Sequence, residues 1–452
     1  MNDIKPATFL YPDLPTKLSA LVRFRTVSSY SQAEEDEGAF SDLKHELPAL
    51  FPRVHAAMTR EEPSDRALLY TWKGKNLALA PVILCAHFDV VPAADTAGWK
   101  HDPFAGEIID GEVWGRGTQD IKVLMASSLE AAEKLVERGF TPERTIYFAF
   151  GGDEEVGGQR GAAAIAEYLA AKGIKASFLM DEGGPISVGM LSFATRPLAL
   201  IGVAEKGYAD LRLHTKGEGG HASMPPRHTA PGNLARAIAT VEAHPSPARL
   251  TRTVKSFLTH LAPESKQPYR FLFGQLWMTA PLVVKAFSAS PTTNALIRTT
   301  MACTMLKGSP KENVLADSAE ATLNVRILPG QTSGEVVSRL ARLVAPFGAD
   351  VSIKHEGHVV EASDESGTDH EGWKAIEMAL RASHPEVACL PFLFSAATDT
   401  KHYRNIVEAT YRFTPLIQSQ EDLKGVHADN EKVRIADLDR CADFYGKLIE
   451  SL

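Results

Sequence analysis

The six residues at 81–86 read Pro-Val-Ile-Leu-Cys-Ala, with no charge among them, and His87 follows. A short, branched, apolar run of this kind predicts a strand buried on both faces of a parallel sheet. Residues 145–150 and 177–180 repeat the pattern. Between these runs the apolar period lengthens to that of a helix over 14–24, 121–138 and 161–171, with Asp120 before the second and Gly139 after it. Ile108-Ile109 and Val113-Trp114 flank Asp110-Gly111-Glu112, which predicts a hairpin. Alternating strands and helices predict an α/β core.

The middle of the chain has a different rhythm. Residues 208–215 and 321–327 alternate in polarity, which predicts half-exposed strands of an antiparallel sheet. A helix is expected over 232–243. Thr332 and Glu335 form a capping-box pattern for another, running to about 344. Helical character returns at 373–382 and 437–451. The simplest organisation is an α/β domain split by an insertion: 1–205 and 361–452 form the split domain, with a mostly parallel central sheet flanked by helices. Residues 206–360 form an α+β domain with an antiparallel sheet. The aromatic-rich stretch 249–290 shows no clear period.

Composition narrows the function classes. The chain has 452 residues, and 48 Lys+Arg against 56 Asp+Glu leave a net charge of −8. That argues against a nucleic-acid binder and offers no polybasic membrane patch. No apolar run approaches membrane-spanning length. Asp3, Pro6, Asp13 and Pro15 interrupt the first 24 residues, which do not read as a secretory signal. Cys85, Cys303, Cys389 and Cys441 are too far apart for a thiolate zinc knuckle. A reducing, cytoplasmic location is expected.

Chemistry gathers at strand ends. His87 and Asp89 follow the first buried strand two residues apart, so both side chains point the same way. A metal-binding His commonly gives its second ring nitrogen to a carboxylate, though a strand-end ion pair uses the same residues. Asp120 closes Gly-Arg-Gly-Thr-Gln and suits a helix N-cap equally well. Asp153, Glu154 and Glu155 sit between glycine pairs, where three acids repel one another unless something positive lies nearby. The alternative is a solvated acidic turn. Glu154 and Glu155 diverge in direction, so one suits a metal and the other a general base. Asp181-Glu182 follows the third strand, and His427 lies in a late Gly-Val-His. His and carboxylate donors suit zinc or another first-row divalent ion. His221 sits between glycines and prolines. Arg326 suits bidentate capture of a carboxylate or a surface ion pair.

These motifs resemble, in order over about residues 14–427, the dizinc aminoacylase and carboxypeptidase family (peptidase family M twenty). They are H-F-D-V-V-P from 87, G-R-G-T-Q-D from 115, D-E-E-V-G-G from 153, D-E-G-G from 181, G-H-A-S-M-P-P from 220 and G-V-H from 425. The branch most similar is that of carboxypeptidase S and the N-fatty-acyl-amino-acid hydrolases. Pro291-Thr292-Thr293-Asn294-Ala295, Thr398-Asp399-Thr400-Lys401-His402-Tyr403 and Tyr411-Arg412-Phe413-Thr414-Pro415 carry that likeness.

The resemblance implies two zinc ions per subunit, with cobalt or manganese as possible substitutes. Asp120 would bridge them, with His87 and Glu155 on one and Asp181 and His427 on the other. Glu154 would be the general base, Asp89 would orient His87, and His221 would stabilise the oxyanion. Asn313 and Arg326 would hold the substrate carboxylate, with Thr400 a further substrate contact. The resemblance also implies a cis peptide at Asp120–Ile121 and makes 206–360 a lid and dimerisation domain. The implied activity is hydrolysis of N-acyl amino acids or of the C-terminal residue of peptides. The alternatives are a dipeptidase or aminopeptidase, or a silent ligand-binding relative. The expected partner is the small substrate and, through the insertion, a second copy; neither nucleic acid nor membrane is expected.

Overall fold

The computed structural model describes residues 9–93, 98–355 and 359–452. The first eight residues, part of the stretch read as no secretory signal, lie outside them. In chain order the strands are β1 (Thr59–Glu61), β2 (Ala67–Trp72), β3 (Val82–His87), β4 (Ile108–Ile109), β5 (Glu112–Trp114), β6 (Ile146–Gly151), β7 (Ala176–Ser187) and β8 (Leu198–Glu205). Then come β9 (Gly207–Lys216), β10 (Gly220–His221), β11 (Thr300–Lys307), β12 (Val314–Leu315), β13 (Ser318–Ile327), β14 (Ala349–Ile353), β15 (Ala388–Phe394), β16 (Val407–Gln418) and β17 (Lys432–Arg434).

Eight strands form one mixed sheet in the order β1-β2-β6-β3-β7-β16-β8-β15. Its centre, β6-β3-β7-β16, is parallel. Every residue of β3 and β6 is buried, as unbroken apolar runs require. One face packs on helices Leu14–Val22, Lys122–Glu137, Glu371–Ser383 and Ile435–Glu450, and the other on helix Ala162–Ala171. The β4–β5 hairpin turns through Asp110 and Gly111, both at positive φ, as a two-residue hairpin turn demands.

A separate four-stranded antiparallel sheet has the order β11-β13-β9-β14. Alternate residues of β9 are buried against helices Ala230–Ala243 and Ser333–Val344. Both halves of the Thr332–Glu335 capping box are formed.

The stretch without a clear period, 249–290, folds as helices Arg252–Leu261, Tyr269–Gly274 and Leu276–Phe287. Their buried side chains join Leu198 of β8 and Leu390 and Leu393 of β15. This part of the expected insertion therefore covers the edge of the large sheet. Among the described residues, no helix is long and apolar enough to cross a membrane. The four cysteines are free.

Candidate metal and hydrolytic site

β3 and β6 run parallel, so His87 and the loop after Gly151 emerge at the same sheet edge. Asp89 is wholly buried beneath that edge. Its Oδ1 lies 3.3 Å from His87 Nδ1 and accepts the Glu154 N–H at 3.1 Å. Its Oδ2 accepts the Glu155 N–H at 3.2 Å and the Ser28 hydroxyl at 2.6 Å. One carboxylate thus fixes both the ring and the acidic turn.

The helix after Asp120 starts at Lys122, with Ile121 at the N-cap and no side-chain cap. The Asp120 carboxylate is therefore not spent on capping. The Asp120–Ile121 peptide is cis, as the resemblance implies. Buried Glu431 secures the preceding loop: Oε1 accepts the N–H groups of Gly117, Gln119 and Asp120, and Oε2 pairs with Arg116 at 2.7 Å.

Two groups of donor atoms share Asp120. In the first, His87 Nε2 lies 3.2 Å from Asp120 Oδ1 and 3.5 Å from Glu182 Oε1. In the second, His427 Nε2 lies 2.8 Å from Asp120 Oδ2 and 3.2 Å from Glu155 Oε1. His427 sits at φ 59°, a left-handed conformation uncommon outside glycine.

This grouping differs from the implied one in two respects. His87 is grouped with Glu182, and Glu155 with His427. Asp181 belongs to neither group. β7 continues through Asp181 and Glu182, and the register with β16 breaks just after the Arg412–Asp181 pair. Successive strand residues face opposite ways, so the two acids diverge. Asp181 Oδ1 accepts the Glu182 N–H at 2.9 Å, while its Oδ2 is buried without a hydrogen-bond partner.

The electrostatics call for cations. Burial pushes Asp181 up to about 6 and Glu182 up to about 7. Burial also carries Glu154 well above the usual carboxylate range, and Glu182 adds to it. His427 is driven up to about 10 by its bonds to Asp120 and Glu155. Burial disfavours the charged His87 ring, yet Glu182, Asp120 and Asp89 hold its pKa well above the ordinary value. Two like charges about 4 Å apart repel by about 4 kcal/mol at an effective dielectric of 20. Two divalent ions would relieve that repulsion. His nitrogen and carboxylate oxygen form a donor set suited to zinc or a similar ion.

The remaining expected residues belong to neither donor group. His221 is exposed on β10, paired with Val314 of β12, and its Nδ1 contacts Ser223 Oγ at 2.7 Å. The Asn313 carbonyl accepts the Ala222 N–H at 3.1 Å, so Asn313 and His221 are neighbours. Arg326 on β13 lies opposite Tyr208, its guanidinium 4.8 Å from the ring centroid. Among the described residues, no hydrogen bond or ion pair ties these three to the acid–histidine cluster. Thr400 departs from the substrate contact expected of it. It has no exposed surface; its hydroxyl donates to Glu205 at 3.0 Å and accepts from Arg412 at 2.8 Å. Arg412 also pairs with Glu205 at 2.9 Å. That sealed network occupies Thr400 in place of a substrate.

From sequence, Glu182, Glu431 and the Glu205–Arg412 pair carry no assigned role, although Glu182 and Arg412 stand in the motifs. Only Glu182 had a signal for metal binding, since it adjoins Asp181.

Residues 83–451 match the model of "Peptidase family M20/M25/M40". A probable carboxypeptidase S-like protein of Dictyostelium discoideum is 35% identical over 443 residues, 97% of this chain and 85% of that protein. The N-fatty-acyl-amino acid synthase/hydrolase of Mus musculus is 35% identical over 440 residues, 96% of this chain and 86% of that protein. Among solved structures, an M20 family metallo-carboxypeptidase from Sulfolobus solfataricus superposes with TM-score 0.66 at 16% identity, covering 97% of this chain and 98% of that one. A dinuclear metal binding peptidase of Bacillus subtilis gives TM-score 0.58 at 14% identity, covering 97% and 98%.

Proposed function

The chain belongs to peptidase family M20/M25/M40, and from that membership we propose a metal-dependent hydrolase that cleaves the amide bond of N-acyl amino acids or the C-terminal residue of peptides. The observation that carries this reading is the pair of donor groups sharing Asp120, with Glu154 held in the turn beside them. His87, Asp120, Glu155, Glu182 and His427 would hold two divalent ions, zinc by donor chemistry, with cobalt or manganese as substitutes. When bound, such ions polarise an amide carbonyl and acidify the attacking water.

Glu154 takes the proton of that water and passes it to the leaving amine, a task its raised pKa suits. Asp89 keeps Glu154 and His87 in position. His221 donates to the developing oxyanion, and Asn313 and Arg326 hold the α-carboxylate of the released amino acid. These three come from the region 206–360, which acts as a lid between the two parts of the catalytic domain, 1–205 and 361–452. Closure of the antiparallel sheet over the substrate completes the site. The same unit is the proposed homodimer contact. The free cysteines suit a reducing, cytoplasmic setting.

A hydrolysis screen with zinc, cobalt and manganese tests the reading. N-acyl amino acids and N-blocked peptides should be cleaved, and dipeptides with a free amine cleaved poorly. In the same screen, R326A should weaken substrates with a free carboxylate more than their amidated analogues. Preference for free-amine dipeptides, or an equal loss on amidated substrates, would overturn it.

A further inference from the structure

Helix Leu276–Phe287 is apolar on both sides. Thr279 and Val283 are buried, and Leu276, Val284 and Phe287 pack against the core that includes β8 and β15. The opposite side carries Trp277, Met278, Pro281 and Leu282, all exposed. Trp277 is 83% exposed and Leu282 56%. A surface helix ordinarily turns polar residues outward. The preceding helix, Tyr269–Gly274, adds Phe271, half exposed, and Tyr269, whose ring stacks on Phe193 at 4.1 Å. Trp277 is also held, its Nε1 donating to Gln275 Oε1 at 2.9 Å.

Along the chain the charge here has one sign, and the acid just before it, Glu264, is paired with Arg196 at 2.7 Å. Residues 265–311 contain six Lys or Arg and no Asp or Glu, in a chain whose net charge is −8. Three of the six, Lys266, Arg270 and Lys285, are exposed in or beside the two helices. None has an ion pair among the described residues. Arg270 donates to the Ser265 and Pro263 carbonyls. Lys285 follows Met278 and Leu282 at seven and three residues, on the same helix face.

We propose that this helical pair is a docking surface for an anionic lipid membrane. The apolar side chains would enter the headgroup boundary and the three cations would meet acidic headgroups, the arrangement of an interfacial helix. Charge favours lipid over a second copy. A two-fold contact sets the same patch against itself, bringing Lys266, Arg270 and Lys285 together with no carboxylate to pair them. The acid surplus of the whole chain conceals this stretch.

Vesicle flotation of the full chain tests the proposal, using phosphatidylcholine with and without phosphatidylglycerol. The chain should float with phosphatidylglycerol vesicles, more weakly with phosphatidylcholine alone, and less as salt rises. The double variant W277S/L282S should lower flotation about tenfold on both lipids. The double variant K266E/K285E should lower it only where phosphatidylglycerol is present. All of these side chains are exposed, so the thermal midpoint should stay unchanged, which separates a lost surface from a lost fold. Failure of the wild-type chain to float with phosphatidylglycerol vesicles would overturn the proposal. So would sedimentation showing a dimer that W277S/L282S dissolves while vesicle binding is unaffected.

Discussion

Asp89 does at this site what no metal ligand does alone. By accepting the N–H groups of Glu154 and Glu155 and facing His87 Nδ1, it couples the ends of two strands. Its place two residues after His87 made that pairing legible from the alternation of strand side chains. Alternation says that Asp181 and Glu182 diverge, but which of the two faces Asp120 was not legible from sequence. The choice between these two acids is a prediction at this scale. E182Q should lower the bound metal by about one ion per chain. D181N should retain both ions, because Asp181 faces away from the donor groups. Metal analysis by plasma mass spectrometry reads the difference directly. Loss of an ion in D181N alone would return the ligand role to Asp181.

At the scale of elements, unbroken apolar runs located the buried strands β3 and β6, and the apolar period located the elements with one polar face. The capping box at Thr332 and the hairpin at Asp110-Gly111 needed only local chemistry, and both formed. The Asp120 cap did not form, because the helix begins one residue later than the motif suggests. Helix Arg252–Leu261 does carry a helical period, with Val254, Phe257, Leu258 and Leu261 buried on one face, though no period was expected there. Helix Leu276–Phe287 has no clear period because it is apolar on two sides, one of which covers the large sheet. A buried cation joins this block to the rest of the chain. Lys206, between β8 and β9, donates to the Ala295 and Arg298 carbonyls at 3.0 Å. Burial and nearby Arg326 lower its pKa from 10.5 to about 8. Between those values the unfolded chain binds more protons than the folded one, so this group's contribution to stability rises with pH there. Below about 8 both states are protonated and the slope vanishes. Denaturant unfolding across pH 8 to 10.5 should show the wild type gaining stability relative to K206M. Parallel profiles would contradict a strained, buried Lys206.

For the whole molecule, bulk numbers conceal opposite local excesses. A net charge of −8 covers an acid-rich sheet edge around Asp120 and an acid-free stretch at 265–311. Neither follows from composition; both follow from which segments the topology gathers. The parallel order β6-β3-β7 brings residues nearly a hundred positions apart in sequence to one edge, and the late His427 turn closes over it. That gathering was legible for His87, for Glu154 and Glu155 and for Asp181-Glu182, because each follows a predicted strand, whereas Asp120 and His427 were placed only by the resemblance. The lack of any hydrogen bond from this edge to His221 or Arg326 among the described residues was not legible, because those residues belong to the smaller antiparallel sheets. The central claim is a two-ion site with a separate general base. Its most direct test is metal content and turnover of Glu154→Gln measured side by side with the wild type. Two divalent ions per chain are expected in both proteins, with turnover of the variant lower by roughly 100- to 10,000-fold. Near-normal turnover in the variant, or a wild-type chain fully active without bound metal, would contradict it.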